Sequence, residues 1–160
     1  MKIVKHAAAG LALLSGTMLL LPSTSSAAPT ETSTAAGQFL AQVAPANTAL
    51  ATWAHQLPRL GSHPATSRVE AVNEPLSQAM STLCNQLRNL PAAGKLEADL
   101  QLMAAAALRL QNDLEITWSS NHFTTRNWEA LTAKDAHAFW EADNVVRQVL
   151  ALPKVRAATY

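Results

Sequence analysis

The segment from Trp118 to Trp128 (WSSNHFTTRNW) gathers more chemistry than any other part of the chain. Trp118, Phe123 and Trp128 surround Asn121, His122 and Arg126, where a plain connector would be only polar. Aromatic faces can stack on a sugar ring or an apolar ligand while the amide, imidazole and guanidinium groups supply hydrogen bonds. The same aromatic side chains can instead fold back and plug the open end of a core. Trp140 is the second candidate. It follows Phe139, so on a helix the two diverge by about 100°. With Phe139 facing a core, Trp140 falls on the flank, either as a partner-binding aromatic or as a half-buried boundary residue.

Other reactive side chains are less organised. His137 and Glu141 share a helix face, with Asp135 close by in sequence. That set could hold a metal, and the spacing is equally that of a surface pair. No H-x-x-x-H or E-x-x-H ligand pair occurs, and covalent haem attachment lacks its C-x-x-C-H motif. Met80 and Met103 could serve a haem iron as axial ligands, but methionines at such positions more often fill a core. We therefore assign no metal and no cofactor. There is no G-x-S-x-G elbow and no phosphate-cradling glycine loop. Glu97/Asp99 and Asp113/Glu115 are two residues apart and diverge on a helix, so a carboxylate pair would have to be assembled in space. The balance favours a non-enzymatic protein.

The start of the chain has the form of a secretory signal. Lys2 and Lys5 precede an apolar run from Ala7 to Leu21, and Pro22 breaks it ahead of small residues. Ser25 and Ala27 suit the third and first positions before a cut between Ala27 and Ala28. The apolar run is nearer a signal core than the ~20 residues of a spanning helix. Residues 1–27 are thus read as a cleaved signal peptide, giving a secreted or extracytoplasmic protein with no remaining membrane span. The whole chain has 12 Lys plus Arg against 11 Asp plus Glu. Loss of Lys2 and Lys5 leaves 10 against 11, which offers no steering toward nucleic acid. Cys84 is the single cysteine, so no internal disulfide can form and packing must supply the stability.

Four apolar stripes at helical spacing must position all these groups. After a flexible leader at 28–36, the first comprises Phe39, Val43, Ala46, Leu50, Trp53, Leu57 and Leu60. Pro45 lies within it and either kinks the helix or starts a new one. The second runs through Val69, Val72, Leu76, Met80, Leu83, Leu87 and Leu90, interrupted by Pro75 and opened by a capping box, Ser67 to Glu70. The third spans about 92–118 with Leu96, Leu100, Met103, Ala107, Leu110, Leu114 and Thr117, widened by Leu102, Ala105, Ala106 and Ile116. A polar connector at 119–127 precedes a fourth, in which Thr132 to Asp135 resembles a second capping box before Ala136, Phe139, Ala142, Val146, Val149 and Leu150. The spacing predicts an all-α domain at 37–153, an antiparallel up-down four-helix bundle, with a frayed tail at 154–160.

In general character the Ala-rich, Lys-poor composition and the terminal V-R-x-x-L-A-L-P element, Val146 to Pro153, resemble small exported helical proteins of high-GC bacteria. The resemblance includes no diagnostic motif and implies no activity, only a bacterial envelope or extracellular setting. The leading expectation is a binding protein whose partner is another envelope or extracellular protein, or a second copy. The alternative is a carrier of an apolar, sugar or haem-like ligand using Trp118 to Trp128.

Overall fold

The computed structural model describes residues 28–61, 64–116 and 125–156, with side chains described over 34–61, 64–115 and 130–156. Helix α1 spans Ala28–Gln56 and passes into a 3-10 turn at Leu57–Arg59; α2 spans Thr66–Arg88, α3 Gly94–Ile116 and α4 Thr125–Val149. These four helices pack as an all-α bundle, and no strand occurs among the described residues.

Side-chain pairings establish the antiparallel order. Trp53 near the end of α1 meets Asn73 near the start of α2, and Asn73 reaches the Leu114 carbonyl near the end of α3. Phe39 and Asn47 of α1 meet Arg147 and Asp143 of α4, so rising numbers on one helix face falling numbers on the other. The backbones of α1–α2, α2–α3 and α3–α4 lie close along their lengths. The α1–α4 seam is wider and is bridged by long side chains.

The stripes are the core. All seven stripe residues of α1 and its 3-10 turn are buried, as are Leu76, Met80, Leu83, Leu87 and Leu90 of the second stripe. Leu100, Met103, Ala107, Leu110 and Leu114 of α3 and Ala136, Phe139, Val146 and Leu150 of α4 complete the interior. Cys84 is buried among them as a small apolar group. Each fully buried Leu, Val, Met or Phe side chain contributes ~1.5–3 kcal/mol gross.

Several local expectations need correction. Neither Pro45 nor Pro75 starts a new helix, since both lie inside continuous ones. A proline leaves the carbonyl four residues earlier without its donor. Here both prolines, with Ala41 and Ala71, lie on exposed faces where water can take up that role. The Ser67 box does not form: α2 begins at Thr66, capped by extended Ala65 with no side-chain bond. Arg68 instead donates back to the Arg59 carbonyl at 3.1 Å and ties the α1–α2 connection. Thr132 is no cap either, being fully buried mid-helix because α4 starts seven residues earlier, inside the expected connector. Leu102 is 65% exposed and Ala105 is exposed, so the apolar face of α3 is narrower than expected. Residues 28–36 belong to α1, and Ala35 and Ala36 pack against the core.

The chain's last turn is the V-R-x-x-L-A-L-P element. Leu152 N–H donates to the Arg147 carbonyl at 2.8 Å and Ala151 N–H to the Gln148 carbonyl at 3.3 Å. Ala151 has φ 55°, completing a Schellman termination with alanine where glycine is usual. Pro153 follows and sends the chain back along α4.

Candidate functional site on the flank of helix α4

The sequence-predicted site falls into two groups. Trp118, Asn121, His122 and Phe123 lie outside the described residues. Arg126 and Trp128 lie in the first turns of α4, with their side chains outside the described set. Trp140 is the predicted site residue whose surroundings are described, and it sits half-buried on the flank, as its angle to Phe139 requires.

Trp140, Asn144 and Arg147 are spaced four and three apart, forming a ridge beside the core stripe of α4. The returning tail lies along this ridge. Trp140 Nε1 donates to the Val155 carbonyl at 3.0 Å. Asn144 holds the same residue from both sides: Nδ2 donates to the Val155 carbonyl at 3.2 Å, and Oδ1 accepts from Val155 N–H at 2.9 Å. Arg147 Nη1 donates to the Pro153 carbonyl at 3.3 Å. Residues 154–156, expected to fray, are therefore tied to α4 through the backbone of Val155. Every one of these bonds goes to tail main chain. Lys154 and Arg156 are exposed, and Val155 is half-buried.

Beneath this ridge lies a buried ionic node that the sequence did not mark. Asp143 is fully buried and accepts from Arg147 Nε at 2.8 Å and from Asn47 Nδ2 of α1 at 3.0 Å. The Arg147 guanidinium also lies over the Phe39 ring, 5.9 Å from its centroid. Arg147 thus joins α1, α4 and the tail at once. The available signal was the i,i+4 spacing of Asp143 and Arg147 inside an otherwise apolar pattern.

Above the ridge, His137 stacks on Trp140 with ring centroids 5.2 Å apart and Nε2 3.3 Å from Glu141 Oε1. Both His137 and Glu141 are more than half exposed. Asp135 does not join them, since two residues along a helix turn it to the opposite side. It meets Asp113 of α3 instead. Burial, then a hydrogen bond with Asp135 and that residue's negative charge, push the Asp113 carboxyl up to about 6, with Lys134 opposing. Two carboxyls in direct hydrogen bond are closer than the ~5–5.5 Å separation of a retaining glycosidase pair, so they do not flank a scissile bond in that manner. No group of three metal-ligating side chains converges among the described residues. Met80 and Met103 are both fully buried in the core.

Two surface depressions lie among the described residues. One of about 360 Å³ between α2 and α3 is lined by Glu74, Ser77, Gln78 and Glu115. Its polar groups bond one another, with Ser77 to Glu115 at 2.9 Å and Gln78 to Glu74 at 3.0 Å. The other is a shallow depression along α1 from Asn47 to His55. No helix among the described residues is long and apolar enough to cross a membrane. Comparison of the chain with family models, with curated proteins and with solved structures finds no match.

Proposed function

We propose that the chain is an exported, non-enzymatic helical-bundle protein that acts by binding another polypeptide of the envelope or extracellular space. The observation that carries this reading is the α4 ridge. There a half-buried Trp140, flanked by an exposed His137, borders groups that already hold an extended polypeptide segment. Tryptophan at a partly desolvated edge is the side chain most often dominant in protein–protein contacts. The signal-like residues 1–27 supply the proposed destination.

Native mass spectrometry on protein from the exported fraction of its own host tests both halves. The expected species begins at Ala28 and carries a polypeptide partner that is lost in Trp140→Ala. A full-length mass would remove the export reading. A bound small molecule in place of a polypeptide would transfer the function to ligand carriage.

A further inference from the structure

We infer that the ridge formed by Trp140, Asn144 and Arg147 is a docking groove for an extended segment of a partner polypeptide, and that the chain's own tail occupies it as an exchangeable competitor. This rests on the binding reading above and names its partner class. Three features carry it.

Recognition is through main chain. The Asn144 carboxamide accepts from the N–H and donates to the C=O of a single extended residue, as a neighbouring strand does. Trp140 fills the second lone pair of that carbonyl, and Arg147 takes the carbonyl two residues earlier. Among the described residues, the bonds between tail and ridge all go to tail main chain, so any extended segment offering the same backbone groups can replace it.

The tail is also weakly anchored. Pro153, Lys154 and Arg156 are exposed and Val155 is half-buried, so few apolar contacts oppose release. The hinge itself is strained. Ala151, from which the tail departs, holds φ 55°, a left-handed conformation costly for a residue with a Cβ. Asp143, itself held by Asn47, remains as the anchor for Arg147 when the tail leaves, so the groove survives vacancy.

The test uses the full chain and a synthetic peptide of residues 151–160 (ALPKVRAATY). Val155→Pro removes the N–H that Asn144 accepts and frees the tail in place. The tethered tail competes at an effective concentration on the order of millimolar, so this variant should bind the peptide at least about tenfold more tightly than the wild type. Adding Asn144→Ala should abolish that gain. A peptide with alanine in place of Lys154 and Arg156 should bind within about threefold, as main-chain recognition requires. Equal binding by wild type and Val155→Pro, or a gain untouched by Asn144→Ala, would overturn the inference. So would a wild-type dimer abolished by Asn144→Ala, which would give the groove to a second copy's tail.

Hydrogen exchange on the wild type gives an independent check. The Val155 amide should exchange through local opening, much faster than core amides of α3. Exchange only by global unfolding would mean the groove never empties, and the inference fails. Because the assay uses a peptide and no natural partner, its failure leaves the export and binding reading to the native mass measurement.

Discussion

Among the described residues, two of the buried polar nodes are built differently. One is neutral: Asn73 accepts from Trp53 Nε1 at 3.0 Å and donates to the Leu114 carbonyl at 3.4 Å, linking α1, α2 and α3. Leu114 belongs to the last turn of α3, so Asn73 ties the start of α2 to the end of α3. The other is ionic: Asp143 and Arg147 lie where α1 and α4 meet through side chains, and Arg147 extends to the tail. The neutral node closes on itself within the interior. The charged node connects the interior to a surface segment. A buried ion pair is a weak source of stability but a strong constraint on geometry, which suits a seam that holds a docking ridge in place.

The comparison can be broken by mutation. Asp143→Ala leaves Arg147 buried without its carboxylate and should cost about 3–5 kcal/mol in urea unfolding at neutral pH. The double change Asp143→Leu with Arg147→Met should recover much of that loss, because no charge is left stranded. It should also free the Pro153 carbonyl and loosen the tail. Asn73→Ala removes the bonds to the Trp53 indole N–H and to the Leu114 carbonyl, at an expected cost of about 1–3 kcal/mol, while leaving protection of the Val155 amide intact. An Asn73 variant that released the tail, or an Asp143 variant that did not, would dissolve the distinction.

The smallest expected effect concerns the Asp113–Asp135 contact between α3 and α4. Asp113 titrates near 6 when folded, against an ordinary 3.8. The folded state therefore holds the proton more tightly. The resulting stability is present below the ordinary value and is lost as pH rises through about 6. Asp113 is partly exposed, so solvent screening reduces the swing to on the order of 1 kcal/mol. Asp113→Asn can donate to Asp135 without a charge. It should be more stable than wild type above pH ~7, with the difference closing toward pH ~4 in paired thermal melts. A constant difference across that range would show that the two carboxyls do not share a proton.

The apolar stripes were legible because burial imposes a 3.6-residue period on residue type, and Phe39 through Leu60 follow it without a break. The same period placed Trp140 on the flank. The helix starts were less legible. Ser67 and Thr132 have capping chemistry, but α2 is entered from extended Ala65, and α4 is already under way at Thr125, seven residues before Thr132. Polar residues that bury themselves are harder still. Asn47, Asn73, Asp143, Asn144 and Arg147 look like surface residues in sequence, because their partners lie on other helices or on the tail. Asp113 and Asp135 are a pair only across α3 and α4.

The α1–α4 seam also bears on the order of events in folding. Asn47 and Asp143 are 96 residues apart, whereas Trp53 and Asn73 are 20 apart and Asn73 and Leu114 are 41 apart. Closing the longest loop costs the most chain entropy, and its contacts are rewarded only after the shorter ones exist. The seam is therefore the last part of the bundle to zip and the first to come undone. Substitutions in it act on the unfolding limb of a chevron and leave the folding limb nearly unchanged, while those at Asn73 slow folding itself. The lifetime of the folded molecule is thus governed at the seam that holds the tail.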